Sequence, residues 1–295
     1  MEDNRQYLSD KTRLKKKTQF RVILGRLSHS KLAMFGLITL AVFVIIAIIA
    51  PWVIPYRINE MNPSQKLQGP STVHWFGTDN LGRDMLSRLL YGTRYSLSLS
   101  FLAVLFGLIG GVIVGAVAGY FGGVVDQTIM RICDVIQAIP AILLNITIVV
   151  VLGMGFFNTI LALGFSSIAN NARMMRASIL KVRKMDYLDA ACVINCPTPR
   201  IIIKHVLPNA FSPMIVSSTM AIGQTILSAA GLSYLGLGVP TGTPEWGAML
   251  SAGRDYITKD IWLTVFPGLF IMIVVLAVNL FGDGLRDAMD PRLKK

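Results

Sequence analysis

The chain is 295 residues long, 53% hydrophobic and 15% charged, with a formal net charge of +12. Its apolar share is above and its charged share below those of soluble domains, and the charges cluster. Five stretches hold no Asp, Glu, Lys or Arg (residues 32–56, 95–125, 135–172, 205–244 and 261–282), and charge-free runs of 22 to 40 residues exclude a soluble domain with a basic nucleic-acid surface.

Residues 1–31 hold nine Lys and Arg, with Leu14, Val22, Ile23 and Leu27 among them. The pattern suits a helix lying on an anionic inner leaflet, and equally a solvated tail. The segment is polar and the apolar run after it lacks a small-residue cleavage site, so no secretory signal is expected. A membrane-crossing helix needs roughly 20 apolar residues. Each charge-free stretch can hold one, and 135–172 can hold two, divided at Gly153-Met154-Gly155. The expected fold is all-α and integral to the membrane, with six spans at 32–54, 95–125, 139–152, 156–172, 206–230 and 261–282.

Span one ends at Pro51-Trp52, where a tryptophan fits the interfacial belt. An external segment, 55–95, follows and carries a short amphipathic helix at 85–91. In span two, Gly107, Gly111, Gly115 and Gly119 recur every four residues on one helix face, which predicts close packing against another helix. The end of the fourth stretch, GLSYLGLGVPTGTP, is rich in Gly and Pro and reads as turns or a re-entrant element, part of an external segment 231–260. Of the 28 Lys and Arg, 21 fall in the termini and the loops on their side, against seven in the other loops. The positive-inside rule then places both termini in the cytoplasm.

Polar residues inside the spans are few. Asn145, Gln224 and Asn279 must find partners in the bundle or line a wet path. No acid or base lies deep in a span, which weakens a proton- or sodium-coupled carrier. There is no GxxxxGK[ST] phosphate loop and no HExxH pair. The three histidines (His29, His74, His205) and three cysteines (Cys133, Cys192, Cys196) form no ligand set or disulfide framework; Cys192 and Cys196 near His205 fall short of a metal site. No cofactor and no catalytic residue is expected in this chain.

One feature remains: YLDAACVINCPTPRIIIKHVLPNA, residues 187–210, a polar interruption between apolar runs. Asp186 can cap a helix starting at Tyr187. On that helix Tyr187, Ala190, Ala191 and Ile194 make a narrow apolar stripe with two very small members, able to enter a groove on another protein. Asn195 and Pro197 end it. From these residues alone, a docking helix and an ordinary loop with an interfacial helix stand level.

The segment resembles the EAA loop of importer-type ABC permeases, E-A-A-x3-G-x9-I-x-L-P. Asp189-Ala190-Ala191 stand at its start, Asn195 at the glycine and Leu207-Pro208 at its end, with His205 in place of Ile. Asn is the residue after Gly that best tolerates a left-handed turn. FGTDNLGRDMLSRLLYGTRYSLSLS (76–100), GLSYLGLGVPTGTPEWGAMLSAGRDYI (231–257) and FGDGLRDAMDPRL (281–293) resemble the corresponding segments of C-type subunits in the dipeptide, oligopeptide and nickel permease family, in the same order. The resemblance implies the importer-type permease fold with a cytoplasmic coupling helix, in a bacterial cytoplasmic membrane. It divides the chain into a basic cytoplasmic segment 1–31, a first span 32–54, an external segment 55–95, a five-helix core 96–282 containing the loop 173–205 and the external segment 231–260, and a cytoplasmic tail 283–295.

The same resemblance implies the partners: a homologous permease, two ATPases holding ATP and Mg, and an extracytoplasmic binding protein that delivers peptides. Nickel or a metal chelate is the alternative cargo, and a stand-alone carrier or channel the alternative class. Tyr187, Leu188, Asp189, Ala190, Ala191, Ile194, Asn195, Leu207 and Pro208 would couple to the ATPases. Gly77, Asp79, Arg83, Asp84, Gly236, Gly238, Pro244, Glu245 and Trp246 would form the external gate and the binding-protein contact. Asn145, Gln224 and Asn279 would line the pathway.

Overall fold

A helix pairs its backbone N–H and C=O groups within itself except at its ends, which suits it to crossing hydrocarbon, and the apolar runs fold as helices except at their breaks and at the Gly- and Pro-rich end of the fourth. The structure, a computed structural model, describes residues 24–188, 196–240 and 242–289. The expected coupling residues Asp189, Ala190, Ala191, Ile194 and Asn195 lie outside the described residues.

The first long helix, α1, spans Lys31–Val53 and is capped by Ser30, whose hydroxyl accepts from the Ala33 N–H at 3.4 Å. It lies along the last helix, α8 (Trp262–Met289). The approach is close because Gly36 has no side chain: a Cβ there would stand 2.6 Å from the Ala277 carbonyl oxygen and 2.9 Å from the Phe281 nitrogen.

Helix α2 (Met85–Phe121) has 37 residues. At 1.5 Å per residue it is about 55 Å long, well beyond the hydrocarbon thickness. The amphipathic turn expected at 85–91 is its first two turns, continuous with the second span. Asp84 caps it, accepting from the Ser87 N–H at 2.8 Å. It ends at Gly122 and Gly123, both left-handed (φ 68° and 56°), a backbone that glycine adopts without strain.

The predicted packing of the glycine face is borne out, and the partner is α5 (Phe156–Val182). A Cβ on Gly107 would meet the Gly164 carbonyl at 2.7 Å, one on Gly111 the Ala172 nitrogen at 3.0 Å, one on Gly115 the Met175 Cβ at 2.8 Å, and one on Gly119 the Ile179 Cβ at 3.1 Å. The four glycines follow one another down a single α2–α5 seam, where small residues let backbones approach in lipid.

Between these helices lie α3 (Gly123–Ala138) and α4 (Ala141–Leu152), bent by 90° at Pro140. Helix α3 was not foreseen, because its charges hide an amphipathic period between two apolar runs. Helix α5 continues ten residues beyond the expected span end at 172. It carries Arg173, Arg176 and Lys181, and Arg176 pairs with Asp126 of α3. Then come a one-turn helix Thr198–Arg200, a π-helical stretch Ile201–Val206 and a turn Leu207–Ala210. The π geometry has a local cause. A proline ring clashes with the carbonyl four residues back, so ahead of Pro208 the coil widens and the Leu207 N–H bonds the Ile202 carbonyl. Helix α6 (Ser212–Tyr234) starts six residues later than expected, and α7 (Trp246–Arg254) precedes α8.

Among the described residues, α1, α2, α6 and α8 are long and apolar enough to cross a membrane, and the bent pair α3–α4 makes five if counted as one span. The sixth expected span lies within α5, which falls below that measure because Asn158, Asn170 and Asn171 as well as its basic second half lower its hydropathy.

Candidate functional site: the two ends of the bundle

At one end, the predicted coupling loop is anchored by apolar packing. Residues 186–188 are helical up to the limit of the described chain, so the helix includes Asp186 rather than starting after it. Leu188 is 5% exposed and sits in a cluster with Met175, Ile179 and Val182 of α5, Ile201 and Val206 of the π stretch, Ala210, and Met214 of α6. Leu207 packs against the cluster's edge, while Pro208 is exposed. Tyr187 is exposed, but its hydroxyl accepts from the Asn209 Nδ2 at 3.2 Å, and the same amide donates to the His205 carbonyl at 2.7 Å. The Tyr187-Leu188 and Leu207-Pro208 pairs, 20 residues apart in sequence, are thus brought together over the ends of α5 and α6. Arg183 adds a link to α2, donating to the Gly119 carbonyl at 3.3 Å with its guanidinium over the Tyr120 ring. Neither Asn209 nor Arg183 was among the expected coupling residues; the Leu-Pro-Asn ending carried the signal for Asn209.

At the other end, residues 55–84 and 242–254 form a cap over the start of α2. Asp79 accepts from the backbone N–H groups of Leu81 (2.8 Å) and Arg83 (2.9 Å) and from the Arg83 Nε (2.6 Å). Asp84 holds His74 at 2.9 Å through Nδ1 and accepts from the Ser87 hydroxyl at 2.7 Å. Arg88, 2% exposed, lies 3.7 Å from Asp79 and donates to the carbonyls of Ile58, Gly242 and Thr243, which pins the second cap segment to the first. Glu245 caps α7. It accepts from the N–H groups of Gly247 (2.9 Å) and Ala248 (2.7 Å) and from the hydroxyls of Ser96 (3.3 Å) and Ser233 (3.1 Å). Burial pushes its carboxyl above the ordinary range, and these four donors pull it back in part. Trp246 is fully buried, with its indole N–H on the Leu89 carbonyl at 3.1 Å.

The residues expected to meet a partner here are therefore mostly interior. Gly77, Asp79, Arg83, Asp84, Gly238, Pro244, Glu245 and Trp246 are buried, and of the nine only Gly236 is exposed. The correction has a physical reason: buried carboxylates and guanidinia persist only when paired, and these are paired with one another and with the backbone. They hold the cap in shape. Arg88, His74, Ser96 and Ser233 were not singled out from the sequence, because their partners are non-local.

The three pathway candidates do not share a surface. Asn145 is 5% exposed in α4, and its Oδ1 has no partner among the described residues. Gln224 and Asn279 are exposed on α6 and α8.

Residues 111–295 match the family described as the binding-protein-dependent transport system inner membrane component, and residues 18–70 match the N-terminal transmembrane domain of oligopeptide transport permease C. The chain is 44% identical over 275 residues to the dipeptide transport system permease protein DppC of Alkalihalophilus pseudofirmus, covering 93% of this chain and 90% of that one. It is 42% identical over 273 residues to the di/tripeptide permease protein DppC of Pseudomonas aeruginosa, covering 90% of each. It is 40% identical over 279 residues to the glutathione permease protein GsiD of Pectobacterium atrosepticum, covering 94% and 93%. Among solved structures, a chain of the inward-facing MetNI methionine ABC transporter superposes with a TM-score of 0.56 at 20% identity, over 69% of this chain and 97% of that one, a likeness of fold. The chain belongs to the binding-protein-dependent transport system inner membrane components, as a multi-pass ABC importer permease subunit of the C type.

Proposed function

We propose that this chain is one of two homologous membrane subunits of an ATP-driven importer that carries small peptides across a bacterial cytoplasmic membrane. The relatives named for dipeptides, for di- and tripeptides and for glutathione, itself a tripeptide, support that cargo class over nickel. In this reading both termini and the loop 173–205 are cytoplasmic, residues 55–95 and 231–260 face outward, two ATPases holding ATP and Mg dock on the loop side, and a binding protein delivers cargo to the cap.

The observation that carries the mechanism is the seat of Leu188 between the ends of α5 and α6. A close-packed apolar seat transmits displacement rather than absorbing it. An ATPase that pulls the helix beginning at residue 186 pulls both flanking helices with it. The two access states interconvert under ATP because the loop's contacts differ between them; equal contacts would shift nothing. The cap, locked by Asp79–Arg83–Arg88 and Glu245, would move as one piece at the outer gate. Its exposed parts, not its buried carboxylates, would meet the binding protein.

Two experiments test this. Purification of the tagged chain from its host should retain a second permease and two ATPases. In proteoliposomes, replacing Ala190 and Ala191 with arginine should abolish ATP-stimulated dipeptide uptake while membrane insertion is kept. Uptake by this subunit alone, or normal uptake in the double variant, refutes the reading.

A further inference from the structure

Helix α6 is the least apolar of the four helices long and apolar enough to span the membrane. One face of it carries Ser217, Ala221, Gln224 and Ser228 at i, i+4, i+7 and i+11; Gln224 is exposed and the other three are half-buried. Two hydroxyls here are satisfied locally: Ser228 donates to the Gln224 carbonyl at 3.0 Å, and the neighbouring Thr225 to that of Ala221 at 2.7 Å. The two carboxamides nearby, Gln224 and Asn279, make no such local bond. The side chains of Gln224 and Asn279 are exposed and make no hydrogen bond among the described residues.

Both stand at one helix crossing. A Cβ on Gly223 would lie 3.6 Å from the Asn279 Oδ1, and Gln224 is the next residue. Gln224 is the thirteenth residue of α6, about 18 Å from its start, near mid-depth. Unpaired carboxamides at that depth are costly against lipid, so this face looks onto water, cargo or another protein.

We propose that Gln224 and Asn279 hydrogen-bond the peptide group of cargo in transit; this rests on the peptide-importer reading above. A carboxamide offers the acceptor and the donor that a peptide group needs. Helix α6 carries no Asp, Glu, Lys or Arg, so the contact reads main chain and ignores side-chain charge, as a path for varied peptides requires. A metal cargo would call for carboxylate, imidazole or thiolate donors, and this face has none.

The test uses the assembled complex in proteoliposomes with ATP and binding protein, and the near-isosteric Gln224→Met and Asn279→Leu. Two cargos are compared at limiting concentration: a dipeptide, and the same dipeptide methylated on its peptide nitrogen. The binding protein's own preference is common to every complex and cancels in the ratio of ratios. Each variant should lower uptake of the ordinary dipeptide about three- to tenfold, the worth of one neutral hydrogen bond. Discrimination between the two cargos should narrow, with basal ATP hydrolysis and copurification unchanged. Unchanged uptake, an equal loss for both cargos, or loss of the second permease on purification overturns the proposal; the last would mean that the carboxamides seat a partner helix. If the unsubstituted complex takes up neither cargo, the peptide reading itself falls and this inference with it, an outcome visible without any variant.

Discussion

Leu188→Ala isolates the joint between the loop and the membrane helices. Leu188 is 5% exposed and touches the ends of α5 and α6 and the π stretch. Truncating a buried leucine costs the transfer free energy of the lost methyl and methylene groups plus a cavity term, together about 2–5 kcal/mol. The whole cost falls on the docking of one short helix. At about 1.4 kcal/mol per factor of ten, the undocked loop gains roughly 30-fold or more relative to the docked one. Global unfolding is not expected, because the α1–α8 contact and the Gly107–Gly111 part of the α2–α5 seam lie outside the Leu188 cluster. The assay is the number of dipeptides imported per ATP hydrolysed in proteoliposomes. The ratio should fall at least fivefold while ATP hydrolysis and subunit copurification persist. Tyr187→Phe is the control: it removes one exposed hydroxyl that accepts from Asn209 at 3.2 Å, a solvent-accessible bond at the low end of the range, about 0.5 kcal/mol, and should leave the ratio within about threefold. An unchanged ratio for Leu188→Ala, or an equal loss for both variants, would refute the argument that packing at this seat transmits the stroke.

Gly115→Leu forces a side chain into the α2–α5 seam, where even a Cβ would be 2.8 Å from that of Met175. Overpacking of this kind costs about 1–3 kcal/mol and should lower the melting temperature in detergent. Arg88→Met leaves three cap carbonyls without their donor and removes the link between residues 55–84 and 242–254. Breaking such a buried network costs about 3–5 kcal/mol and should speed proteolysis within the cap more than tenfold, with the helices intact. Glu245 supplies a pH prediction. Its carboxyl is raised above the ordinary 4.5 by burial, so from about pH 4.5 upward the folded state binds more protons than the unfolded one, and stability falls as pH rises. Glu245→Gln should flatten that slope in melting temperature measured between pH 4 and 8, whatever constant offset it brings; an unaltered slope refutes the assignment.

The loop and the cap are two versions of one arrangement. At each end, segments distant in sequence are joined across the same helices: Leu188 with Val206 and Met214 at one, Arg88 with Gly242 and Glu245 with Ser96 at the other. The α2–α5 seam runs between them. On the proposed reading, a movement imposed at the loop would reach the cap through these closely packed helices.

Much was legible in the amino acids themselves. Charge-free runs must become helices in lipid because the backbone has no other way to pair its groups. The four-residue glycine period marked the α2 face that packs on α5, since that spacing repeats on a helix whatever its neighbour. The order of motifs identified the family. Tertiary structure decided which partner each face meets and therefore which polar groups are exposed. Asp79, Arg83, Asp84, Glu245 and Trp246 looked like a contact surface on a loop, yet their partners, from Ser96 to Thr243, bury them. Gln224 and Asn279 looked no different from Asn145, yet they lie open at a helix crossing while Asn145 is enclosed. Local pattern dictates where backbone hydrogen bonds close; burial is set by contacts between residues far apart in the chain, and a linear sequence carries no distance between them.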